Sequence, residues 1–315
     1  MKHKALISTL AGAGIVAAAL ALALGPLAPA ASAAPARASG MNPHTLGIKG
    51  AKTNAKAAAV PLTYGGGPVE TVPVVYISYW GSQWNTGFST GGYTSAQAQT
   101  YVQDFFNGVG GSPWDNIDTQ YCQGVAVGTI NCGSSGTHIT NPAGQLKGTW
   151  VDTTSVPSHP SQSAIASASV RAMNHFGYNA NATYLVFTPT GHSMRGFATQ
   201  WCAWHSSTSS SKGTVAYGYI PYMPDGGASC GMNFLNSNNS FGNGYFDGFS
   251  VVAGHEYSEA ATDPHPSSGW TDSTGAENGD KCAWSSLSTN ITLGSHFFAV
   301  QPIWSNAASG CVTSA

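Results

Sequence analysis

Beyond residue 60 the chain is short of positive charge: Lys147, Arg171, Arg195, Lys212 and Lys281 stand against thirteen Asp and Glu, a balance of about −8. Phosphate backbones are held by clustered Lys and Arg, so a nucleic-acid partner is excluded. No CxxC spacing occurs, which removes the usual thiolate arrangement for a structural metal. After the first 25 residues no stretch is long and apolar enough to cross a bilayer, and no internal repeat is visible. Methionine is missing after Met232.

The beginning of the chain is organised differently. Met1-Lys2-His3-Lys4 is basic, Ala5 to Leu24 carries no charge, and Ala31-Ser32-Ala33 is a small-x-small pattern. Together they predict a signal peptide over 1–33, an exported product and no stable membrane anchor. Ala34 to Val60 has neither hydrophobic period nor aromatic residue, and predicts a flexible tail or propeptide over 34–60, with Arg37, Lys49, Lys52 and Lys56 solvated. Residues 61–315 then read as a single globular domain. Six cysteines in an exported chain point to disulfides, and their grouping in sequence favours Cys122 with Cys132, Cys202 with Cys230 and Cys282 with Cys311, out of the fifteen possible connectivities.

Hydrophobic patterning predicts a buried strand from Thr71 in TVPVVYISYWG, and helices at Thr94–Phe106 and Ser161–Gly177, the first begun by a threonine cap and the second ended by glycine. Strands follow at Ala182–Gly191 and Gly213–Met223, the latter alternating as if one face were buried and the other partly wet. The Ser/Thr run 206–211 and the Gly/Asn/Ser-rich stretch 225–245 read as surface loops. Phe249–Ala261 is a further helix, and the segment ending at Cys311 reads as short strands and turns. The expected fold is α/β, with α+β possible: a mixed sheet flanked by helices and stapled by disulfides.

The chemistry concentrates in Gly254-His255-Glu256-Tyr257-Ser258-Glu259-Ala260-Ala261-Thr262-Asp263-Pro264, an HExxE pattern. On a helix His255 and Glu259 lie one turn apart on one face, the spacing for two ligands of one divalent cation. Glu256 sits about 100° around, placed to act as catalytic base on a water that the cation acidifies. Glutamate replaces the second histidine of the HExxH pattern, a harder ligand that widens the choice of metal. The third ligand is sought among Asp263, about 80° from His255 after two turns, Glu277 and Asp280.

Six of the thirteen acids, Glu256, Glu259, Asp263, Asp272, Glu277 and Asp280, fall within 25 residues with Lys281 as the nearby cation. Such crowding repels unless a cation is bound. Zinc is the expected cofactor, with calcium on Asp272, Glu277 and Asp280 as the alternative. His192 and His205 read as loop histidines, and a Cys202/His205 nucleophile is conceivable only if Cys202 is reduced. Trp80, Trp84, Trp114, Trp201, Trp204, Trp270 and Trp284 are expected in the core, a sugar-binding groove being the alternative.

LTYGGGPV (Leu62 to Val69), the strand ending Tyr79-Trp80-Gly81, Ser112-Pro113-Trp114, and HEYSEAATDP followed by ENGDKCAW resemble the phosphate-induced protein 1 family, whose EXORDIUM-like members occur in plants and bacteria. The resemblance runs over most of the chain from Leu62 onward and implies an extracellular or cell-wall location without a fixed activity. The expected function is that of a secreted metal-dependent hydrolase, a zinc peptidase with a zincin-like active-site helix, acting on an extracellular protein or peptide. The missing methionine after Met232 excludes the metzincin Met-turn. The alternative is a noncatalytic extracellular binder of cell-wall polysaccharide with a structural calcium.

Overall fold

The computed structural model describes residues 44–50 and 60–315. The expected signal peptide and the rest of segment 34–60 lie outside them. The centre is a six-stranded sheet of β1 (His44–Gly47), β2 (Val74–Trp80), β3 (Leu146–Asp152), β4 (Ala182–Phe187), β5 (Trp201–Ser210) and β6 (Gly213–Ile220), in spatial order β1-β5-β6-β4-β2-β3. β3, β2, β4 and β6 run parallel, while β5 is antiparallel to both β6 and β1. The sheet is mixed, as the alternation of strand and helix signals predicts.

Three long helices cover it: α1 (Ser95–Val109), α2 (Gln162–Phe176) and α3 (Asp247–Thr262). α1 starts where Thr94 Oγ1 accepts from the Gln97 backbone N–H while the Gln97 side chain accepts from Thr94 N–H, a reciprocal cap. At the start of α2 only the one-way cap is present, Ser161 Oγ accepting from Ala164 N–H, and Gly177 ends the helix. Ile165, Ala168, Ala172 and Met173 of α2 pack with Tyr184, Val186, Tyr217 and Tyr219 on one face of the sheet. Leu185, Phe187 and Ile220 face the other way, into a core shared with α1 and α3. Successive residues of β4 thus serve opposite layers, which explains why all six are buried.

α3 is buried along its whole length. It lies between the sheet and α1, where Tyr257 meets Phe106 edge-on, and is closed by the hairpin β7 (Thr289–Leu293) and β8 (His296–Val300), where Ser250 donates to Ala299 O. Helices enclosed on every side need no polar face, so its charged residues are exceptions requiring partners.

The three disulfides join Cys122 to Cys132, Cys202 to Cys230 and Cys282 to Cys311. The second ties β5 to the turns before α3; the third ties the loop at 277–282 to β10 (Gly310–Val312), which pairs with β9 (Ile303–Ser305). These links fit an oxidising, extracellular setting. Among the described residues no helix is long and apolar enough to cross a membrane.

Several elements depart from expectation. Residues 206–210 are not a surface loop but the end of β5, paired with β6 around Ser211–Lys212, and Ser206 and Ser207 are buried. Their strand state comes from the partner strand and the covering layer, not from intrinsic preference. β6 is wet on neither face, because α2 and α3 cover both sides. β3, with a weaker pattern, was not anticipated. The tail reading fails for residues 44–50: β1 adds an edge strand to β5, with Leu46 fully buried and Gly47 O accepting from Trp284 Nε1.

Candidate metal centre

The site begins with the geometry of one helical turn. His255 Nε2 lies 3.0 Å from Glu259 Oε1, the i, i+4 neighbours of α3. Glu256 points instead toward the sheet, where its Oε2 is 3.3 Å from His205 Nδ1 on β5. Opposite His205 in the pairing of β5 and β6 is Gly218. A Cβ there would stand 2.7 Å from Leu185 Cδ2 and 3.9 Å from Glu256 Cβ, so a residue without a side chain lets α3 settle against the sheet beside the histidine.

The loop after α3 folds back over this pair. Glu277 Oε2 lies 3.6 Å from His205 Nε2 and 2.7 Å from His44 Nδ1. Asp280 Oδ2 is 3.2 Å from the same His44 nitrogen, and its Oδ1 is 3.8 Å from His255 Nε2. Glu259 Oε2 completes a ring, 3.4 Å from His205 Nδ1. The loop is anchored by Asp280 N–H donating to Glu259 Oε1, by Gln301 Nε2 donating to Gly279 O, and by Asn278 Nδ2 donating to Asp118 and Ser258. Five members, His205, His255, Glu256, Glu259 and Glu277, are fully buried, while His44 and Asp280 are about one-fifth exposed at 20 % and 23 %. A pocket lined by His44, Thr45, Thr274, Gly275, Ala276 and Asp280 opens at that rim.

Charge in this ring is unbalanced. Four carboxylates surround three imidazoles, and Lys281 Nζ, close in sequence, bonds Asp272 Oδ2 at 3.0 Å instead. Burial by itself lowers imidazole pKa values, but the carboxylates outweigh it: His44 is raised to about 11 by Asp280 and Glu277, His255 to about 9 chiefly by Glu259, and His205 well above its ordinary value by Glu277, Glu256 and Glu259. Burial pushes Glu256 up to about 7 against the pull of His205 and His255. The same burial acts on Glu259, but His255 and His205 overcome it and hold that carboxyl below the usual range. His255 Nδ1, His205 Nε2, Glu256 Oε1 and Glu277 Oε1 are buried without a hydrogen-bond partner. Buried polar atoms are normally satisfied, so these atoms stand out from the rest of the core.

Mixed imidazole and carboxylate donors suit zinc and neighbouring transition metals. Two sets of donors lie close enough to share an ion: His44 with Glu259 and Asp280, and His205 with Glu256 and Glu259. The expected residues His255, Glu256, Glu259, Glu277 and Asp280 all converge here. Asp263 borders the cluster at Glu277, but its oxygens accept from the N–H groups of Ser267, Ser268 and Gly269 and from Ser268 Oγ, fastening the turn that ends α3. The all-oxygen calcium set does not assemble, since Asp272 is engaged by Thr274, Ala276 and Lys281.

His205 lies on a strand and not in a loop; the serine-rich continuation of β5 hides the strand, and the apolar run Trp201-Cys202-Ala203-Trp204 before it is the available signal. His44 had none, lying in a segment without hydrophobic period. Cys202 is in a disulfide and offers no thiol, and His192 is bonded to Pro157 O and Gln83. Trp80, Trp84, Trp114, Trp201, Trp204 and Trp270 are buried, which removes them from any exposed sugar platform. Comparison with family models, curated proteins and solved structures finds no match to this chain.

Proposed function

We propose that the chain is an exported metal-dependent hydrolase, a zinc peptidase with α3 as a zincin-like active-site helix, and that it is an EXORDIUM-like protein. The observation that carries the reading is the approach of His255 Nε2, Glu259 Oε1 and Asp280 to one another, next to the partly exposed His44 and Asp280, in a cluster where His255 Nδ1, His205 Nε2, Glu256 Oε1 and Glu277 Oε1 have no hydrogen-bond partner. His255, Glu259 and Asp280 hold the cation in this proposal, with His44 beside them. A zinc ion there supplies Lewis acidity, polarising a substrate carbonyl and making water more acidic.

The remaining work falls to Glu256. Its Oε2 is positioned by His205, while Oε1 is unpartnered. A buried carboxyl with one uncommitted oxygen suits a group that accepts a proton from attacking water and returns it to a leaving amine. Substrate enters from the rim at His44 and Asp280, the partly exposed members of the cluster.

Elemental analysis of the purified protein, together with proteolysis of a broad protein panel by wild type and Glu256→Gln, tests the proposal. Stoichiometric zinc and a loss of cleavage of about 100-fold or more in the variant are expected. Wild-type protein without stoichiometric metal, or a variant that cleaves as well as its parent, overturns it.

A further inference from the structure

We infer that the cluster takes two divalent cations, the second held by His205, Glu256 and Glu259, with Glu259 shared between the two centres. The inference rests on the metal-binding part of the proposal above and adds a second site to it. Glu259 presents its two oxygens in different directions: Oε1 to His255 Nε2 at 3.0 Å, and Oε2 to His205 Nδ1 at 3.4 Å. A carboxylate with a different imidazole at each oxygen is arranged as a bridge.

The inner set has the spacing of a coordination sphere. His205 Nδ1 stands 3.3 Å from Glu256 Oε2 and 3.4 Å from Glu259 Oε2. Ligands of a tetrahedral zinc, each at ~2.1 Å from the metal, are separated by about 3.4 Å. All three residues are fully exposed to one another and closed to solvent, at 0 % accessibility. His205 Nε2 faces Glu277 Oε2 at 3.6 Å, so ligation through Nδ1 leaves the other ring nitrogen directed at a carboxylate, the outer partner that fixes a ligating imidazole. The outer set is that of the proposal above, His255, Glu259 and Asp280, with His44 on the other side of the two carboxylates.

Ligation of the inner ion through Glu256 Oε2 makes this residue a ligand and leaves only its Oε1, which has no hydrogen-bond partner, uncommitted.

The test is a count of ions on the full exported chain with residues 44–50 retained, stripped by chelator dialysis, reloaded with zinc and desalted before elemental analysis and calorimetric titration. Two zinc ions per chain are expected. His205→Ala and Asp280→Ala should each hold one, and Glu259→Gln neither, with far-UV circular dichroism recorded on each variant. One zinc in the wild type overturns the second site and leaves the proposed function standing; none overturns both. The wild-type count needs no variant to fold, and a folded His205→Ala protein that still holds two ions also refutes the assignment.

Discussion

Gly279→Ala adds one methyl group where the loop at 277–282 rests on α3. The backbone there, at φ −72° and ψ −46°, accepts alanine without strain, so the perturbation is steric and carries no charge. The new Cβ would lie 2.7 Å from His255 Nδ1 and 2.9 Å from both His255 Cε1 and Glu259 Oε1. Ordinary contact needs about 3.5 Å, so the loop must part from the two side chains by about 0.6–0.8 Å. α3 is enclosed on all sides and cannot retreat cheaply. A displacement of that size exceeds the ~0.5 Å within which a functional constellation has to be held. Zinc affinity should fall by about 10- to 100-fold, or roughly 1.4–2.8 kcal/mol. Overpacking alone costs about 1–3 kcal/mol of stability with or without metal. Competition titration against a chromophoric chelator reads the affinity, and urea unfolding with and without zinc separates the two effects. A variant that is less stable yet binds zinc at the parental affinity refutes the placement of His255 and Glu259 as ligands.

Two further perturbations probe the scaffold. Leu46→Ala truncates a fully buried residue of β1 and should lower stability by about 2–5 kcal/mol in urea, against ~0.5 kcal/mol or less for a residue in a solvated tail; an unchanged midpoint would take β1 out of the core. Asp115 is pushed up to about 7 by burial, opposed by hydrogen bonds from Gln145 and Tyr257. Its folded form therefore keeps a proton that the unfolded chain releases near pH ~3.9, so stability falls as pH rises from about 4 to about 7, by up to ~1.4 kcal/mol per unit. Asp115→Asn should flatten that part of the stability profile, and a variant whose profile tracks the parent contradicts the shift.

Local signals in the sequence carried far. Thr94 and Gln97, Ser161 and Gly177 announce helix ends through groups that bond the nearest backbone, and such bonds need no distant partner. The cysteine pairs also followed proximity in the chain. β5 was illegible past Trp204 because serine has little preference for any state, and its strand exists because β1 and β6 flank it. β1 was illegible for the same reason in stronger form: four residues with one large apolar side chain have no period, and their strand is made by β5.

The HExxE spacing by itself determined that His255 and Glu259 share a helical face and that Glu256 points elsewhere, because 3.6 residues per turn is a property of the backbone. The crowding of acids between residues 256 and 280 likewise marked where charge would need an answer. Which acids join was decided only by tertiary structure: the turn after α3 consumes Asp263, Lys281 engages Asp272, and the returning loop delivers Glu277 and Asp280. His205 and His44 arrive from two neighbouring strands far apart in the chain, paired so that both imidazoles reach one edge of α3. Distances between such residues are set by sheet register and helix packing, which depend on the whole chain at once, whereas spacing along a helix depends on a few consecutive residues.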